Sequence, residues 1–103
     1  MMTNFYYKKS NPDISFKKFH DLVIRLESFK SLKGHNYKIL DWEDNNMIFE
    51  RLSTHQIWKM DIQAVHRAYI ELDEFKTDNF KPYLSRTRSP ALGLLLSLKL
   101  LTI

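Results

Sequence analysis

Across residues 37–72 the apolar side chains recur first at every second position and then at every third or fourth, and this change of period after Met60 limits the fold more than any other feature. Strands alternate sides and helices repeat every 3.6 residues or so, so the segment reads as strands feeding directly into a helix. Residues 37–42, 47–52 and 57–62 are short runs rich in β-branched and aromatic side chains. Asn45-Asn46 separates the first two runs, and because Asn tolerates positive φ a two-residue hairpin turn is expected there. Ser53-Thr54-His55 makes the second polar break. The expectation is a three-stranded antiparallel meander.

Alternation assigns the faces. In the first strand Tyr37 and Ile39 share a side with Asp41, and Leu40 and Trp42 share the other with Lys38. Met47 and Phe49 alternate with Ile48, Glu50 and Leu52, while Trp58, Met60 and Ile62 alternate with Ile57, Lys59 and Asp61. One face is therefore apolar and the other mixed, which suggests partial cover of the second by another element or a partner. Asp61 suits the start of the following helix, since its carboxylate accepts the orphan amide hydrogens and complements the positive end of the dipole. Ile62, Val65, Ala68, Tyr69 and Leu72 fall on one side, which is expected to lie across the apolar face of the sheet.

Two more helices flank this unit. Asn11-Pro12-Asp13 and Ser15 carry start signals, and Phe16, Phe19, Leu22, Val23, Leu26 and Phe29 then recur at helical spacing, with Gly34 as the stop. Near the other end, Ser89 is expected as N-cap and Pro90 as the first helical residue of a helix running through the apolar residues 91–103. That run is shorter than the roughly 20 residues of a membrane span and contains Lys99, so it reads as a buried helix. Because it is apolar on nearly every side, burial against a second subunit is expected, giving a homodimer through this helix. Residues 1–10 read as a weakly ordered leader, and 103 residues suffice for a single domain.

The absence of cysteine excludes a disulfide framework, a thiolate zinc site and a cysteine nucleophile, and with no apolar signal segment it points to the cytoplasm. The chain has two isolated glycines, so no glycine-rich phosphate loop is present, and His20, His35, His55 and His66 show no metal-ligand spacing. Asp13 with Glu74-Phe75-Lys76 has the letters of a metal-dependent nuclease signature, but the Glu-x-Lys falls at a helix end instead of on a strand. No cofactor and no metal are expected, and a non-enzymatic role is favoured.

Charge supplies the remaining lead. The net charge of +4 is unevenly placed: both ends are basic, and residues 37–74 are acidic on balance. Arg86, Arg88 and Ser89 at the start of the last helix form the best-motivated anion site, since free amides and guanidinium groups together hold a phosphate or sulfate. Arg51, Lys59 and Arg67 form a second basic group, which could contact phosphates if Arg51 and Lys59 project from the open face of the sheet. The sequence thus predicts an α+β protein, ordered as N-terminal helix, three-stranded antiparallel meander, helix and apolar C-terminal helix. Its expected role is that of a small basic accessory protein binding nucleic acid or another polyanion, with no membrane partner. The alternatives are a structural or protein-interaction module acting as a homodimer and, third, a small nuclease or toxin-like enzyme.

Overall fold

Each strand of the expected meander forms, because its apolar side can be buried on one face and its turns can be closed by residues that accept positive φ. The computed structural model describes residues 7–31 and 33–102, and in it the meander is β3 (Asn36–Glu43), β4 (Asn46–Arg51) and β5 (Gln56–Asp61). The first turn falls one residue earlier than expected, at Asp44-Asn45, with Glu43 paired to Asn46 and Asp44 at φ 55°. Asp shares with Asn the short polar side chain that makes the left-handed region accessible. His55, at φ 60°, closes the second turn, where its N–H and that of Thr54 both donate to the Arg51 carbonyl.

A fourth strand, β2 (Ser28–Lys30), pairs antiparallel with β3, so the sheet has the order β2-β3-β4-β5. The N-terminal helix is correspondingly shorter than the sequence pattern predicts. It is α1 (Phe16–Ile24), with Ser15 as N-cap accepting from the Lys18 N–H at 3.2 Å, while Asn11, Pro12 and Asp13 lie ahead of it. Phe29 accounts for the difference. One aromatic fits a helical stripe and a strand equally well, and here its ring lies 5.1 Å from that of Tyr37 and 5.6 Å from that of Phe49.

A β-bulge makes the second departure. Ile39 pairs with Phe49 but Asp41 pairs with Ile48, so Leu40 is an extra residue that reverses the alternation beyond it. Trp42, expected on the side opposite Tyr37, therefore pairs with buried Met47 and turns inward, its ring 5.6 Å from that of His20. Tyr37, Met47, Phe49 and Met60 are buried on this inner face, with Ile39, Trp42 and Trp58 half-buried around them. The other face is open: Lys38, Leu40, Leu52, Ile57 and Lys59 are all exposed.

Asp61 caps α2 (Ile62–Glu71) as its position implies, Oδ1 accepting from the N–H groups of Gln63 and Ala64 at 3.0 and 3.2 Å. Ile62, Val65, Ala68 and Tyr69 are buried in one core with the inner sheet residues, and α1 packs beside the helix. Tyr69 also joins the ends of the chain. Its hydroxyl donates to the Leu100 carbonyl at 2.8 Å and accepts from the Asn11 N–H at 3.2 Å, which satisfies a polar group buried in the core.

The apolar C-terminal run is not one helix. After a 3-10 turn at Thr77–Phe80, α3 spans Arg88–Ser97 and is closed by Lys99 at φ 61°. The Lys99 N–H donates to Leu96 and the Leu100 N–H to Leu95, the paired bonds of a Schellman motif that spares the terminal carbonyls. The chain then forms β6 (Leu101–Thr102), antiparallel to β1 (Lys8–Lys9). Of the leader expected over residues 1–10, residues 1–6 lie outside those described, and Ser10 is tied by its N–H to Leu100 and by its hydroxyl to the Lys99 carbonyl.

Pro90, Ala91, Leu92, Gly93, Leu94 and Leu95 are all buried within their own chain, which removes the reason for a second subunit at this helix. Among the described residues no helix is long and apolar enough to cross a membrane. Gly93 sets how closely α3 approaches β2. A Cβ there would stand 2.2 Å from the Lys30 carbonyl oxygen and 2.6 Å from the Ser31 Cα, backbone atoms that cannot move independently. Gly93→Ala should therefore lose about 2 kcal/mol or more of stability despite the helix propensity of alanine. Unchanged denaturant unfolding of that variant would refute the close approach.

Candidate functional site

The six basic and hydroxyl residues singled out by the sequence separate into distinct places. β-Alternation puts Arg51 on the inner side with Met47 and Phe49, and Lys59 on the outer side opposite Ile48. They do not share the open face, as the sequence reading requires. Lys59 instead pairs with Glu43 at 3.1 Å, both side chains largely in water, so the pair contributes little to stability. Arg67 lies on α2, beside a shallow cavity of about 240 Å³ lined also by Phe16, Gln63, His66, Ile70 and Glu71. That volume is below the several hundred Å³ of ordinary small-molecule sites.

His66 on the cavity wall is committed to structure. Its Nε2 lies 2.8 Å from the Ile14 carbonyl, which can only accept, so Nε2 carries the proton. The Tyr83 hydroxyl donates to Glu71 Oε1 at 2.7 Å on the same side of the molecule.

At the start of α3 the cap falls two residues earlier than expected. Thr87 occupies the N-cap position with no hydrogen bond from its side chain to the helix, and Ser89 is the second helical residue. Pro90 has no N–H and the Ala91 N–H bonds to Thr87, which leaves the amides of Arg88 and Ser89 without helical partners. The first turn holds no acid. Arg86 is exposed and Arg88 half-buried, and neither makes an ion pair among the described residues. Two free amides, two arginines and the hydroxyl of half-buried Ser89 thus fall within four consecutive residues, with Thr87 buried among them.

Arg51 has surroundings that its place in the sequence does not reveal. Its Nη2 stands 3.0 Å from both ring nitrogens of His35, and its Nε is buried with no acceptor. Trp58 and Tyr37 lie on the same face of the neighbouring strands. His35 and Arg51 are 16 residues apart and meet only because β3 and β4 pair; no spacing rule could have joined them.

Elsewhere the acids are engaged or scattered. Glu50 takes His55 Nδ1 at 2.8 Å, and Glu74 takes Lys76 Nζ at 3.0 Å on the loop after α2, so the Glu-x-Lys of the nuclease pattern is not on a strand. Among the described residues no three His, Asp or Glu side chains stand together as a metal site. No protein-family model matches the chain, and no curated protein or solved structure is found to be similar to it.

Tyr83 titrates above its ordinary range. Its pKa is raised, first by the hydrogen bond to Glu71, then by burial and by the Glu71 charge, with Arg67 opposing. The folded state thus holds this proton more tightly than the unfolded chain. Its contribution to stability is present below the ordinary tyrosine pKa and is lost as pH rises through the raised value. Glu71→Gln should bring the Tyr83 transition back down in a spectrophotometric titration, and an unchanged titration would show that the Glu71 contact is not made in solution.

Proposed function

We propose that this is a non-enzymatic protein that binds the phosphates of nucleic acid or of another polyanion through the start of α3. One observation carries the reading: Arg86, Arg88 and Ser89 flank a helix N-terminus that has neither a side-chain cap nor an acid in its first turn. An anion there gains the positive end of the helix dipole, about 0.3–1 kcal/mol, and charge-assisted hydrogen bonds from the guanidinium groups. The net charge of +4 assists approach to any polyanion. Ser89, expected to compete for the free amides as the cap, does not occupy that position, so the competition is removed.

The reading predicts salt-sensitive retention on an immobilised polyanion. Each phosphate contact contributes about 0.9 to the log–log salt slope on duplex DNA, so Arg86→Ala with Arg88→Ala should flatten it by about 2 and elute the protein at lower salt. Retention indifferent to both salt and these substitutions would remove the proposal.

A second reading, a protein-interaction module, is favoured by the uncovered side of the sheet. Ile57 is 60% exposed on β5, an edge strand of the sheet, and Leu40 and Leu52 are exposed on the same face. If two copies meet on this face, the mass in solution is twice 12.4 kDa and Ile57→Lys restores the monomer. A wild-type monomer at high concentration disposes of self-association.

A further inference from the structure

Arg51 is a cation that no carboxylate among the described residues pairs with. Its Nη2 is 3.0 Å from Nδ1 and 3.0 Å from Nε2 of His35. The bonding directions of the two imidazole nitrogens diverge in the ring plane, so an atom equidistant from both lies over the ring and in line with neither. The contact therefore sets Nη2 against the imidazole face in place of a well-aligned acceptor. Nε is closed off and unpartnered, and no carboxylate among the described residues pairs with the guanidinium.

A lysine or histidine placed this way could shed its proton. Arginine cannot, so the half-buried charge persists and its unmet Nε–H stands as a cost to the ligand-free fold.

The surroundings are built, not loose. The Arg51 carbonyl accepts from the N–H groups of Thr54 and His55, at 3.3 and 2.7 Å, which holds the end of β4. His35 is held from the other side: its N–H donates to Ser31 Oγ at 3.1 Å and its carbonyl accepts from the Ser31 N–H at 2.9 Å. Ser31 is itself buried, where α3 presses Gly93 against the backbone. Half-buried Trp58 offers a flat neighbour on the same face.

We propose that Arg51, backed by His35, is a second and independent anion site, which takes a single oxyanion presenting two adjacent oxygens, a phosphate or a carboxylate group. The oxyanion meets the outer nitrogens of the guanidinium first. Drawing the group off the imidazole face then opens Nε as a further donor and completes the two-pronged contact that arginine makes with such anions. The site rests on no part of the α3 reading, since Arg51 ends β4 and Arg86 and Arg88 begin α3.

The test is a titration of the full chain with inorganic phosphate and, separately, with acetate, followed by the Arg51 Nε–H resonance in ¹⁵N NMR and by the melting temperature. A saturable shift of that resonance with a rise in melting temperature is expected for at least one anion, and the stronger response names the ligand class. Arg51→Lys keeps the charge but loses the planar fork, and should need about tenfold more anion for the same rise in melting temperature. Arg86→Ala with Arg88→Ala should leave the Arg51 response intact, which separates this site from the one on α3. Arg51→Met should abolish the anion-induced rise in melting temperature and melt no lower than wild type in anion-free buffer, because it removes an unpaired cation. The proposal is overturned if neither anion moves the Nε–H resonance, or if Arg51→Met melts lower while wild type ignores both anions, the behaviour of a packing residue.

Discussion

The contact on which the other arrangements rest is that of α3 with the backbone of β2, at the one helical position with no side chain. Gly93 lets the helix come so near Lys30 and Ser31 that any Cβ would enter the carbonyl oxygen. That approach holds β2 against the sheet and so allows Phe29 to reach Tyr37 and Phe49. It also holds Ser31, whose two hydrogen bonds orient His35 beneath Arg51. The same packing buries the apolar sides of α3 inside the chain and leaves its N-terminus, with Arg86 and Arg88, at the boundary with water.

A shared electrostatic circumstance links the two proposed anion sites. Lys59 and Lys76 each have a carboxylate within 3.1 Å, whereas Arg51, Arg86 and Arg88 have none among the described residues. Ion pairs of the first kind, on exposed side chains, change little when formed or broken. Unpaired arginines are different, above all one that is half-buried, since the charge cannot be titrated away and hydrogen-bond donors remain to be filled. The basic character that composition records as one total is thus divided into cations already answered within the fold and cations still open.

Much of the meander and of α2 is legible from residues alone because those signals are local. Asp61 caps the helix that its carboxylate and the following apolar period require, and Met47, Phe49 and Met60 are buried as alternation demands. The misreadings share a different cause. Phe29 belongs to a strand of three residues, too short to display a period. Leu40 is one extra residue whose effect, turning Trp42 inward, depends on which partner faces it in β4. Ser89-Pro90 carries the letters of a helix start, yet the helix begins one residue before them, at Arg88, with Thr87 at the cap position. Of the site residues, Arg86 and Arg88 were visible as neighbours in sequence, but the meeting of Arg51 with His35 required the pairing of β3 with β4.

The chain by itself determined which segments are amphipathic, where α2 starts and that strands and helices mix in an α+β architecture, since each depends on side chains within a few positions of one another. Only the tertiary structure decided that β2 is a strand, that Trp42 faces inward, that β1 and β6 join the two ends, and which arginines find no acid. Those outcomes depend on pairings between residues distant in sequence, where a backbone contact such as that of Gly93 with Lys30 outweighs any local preference.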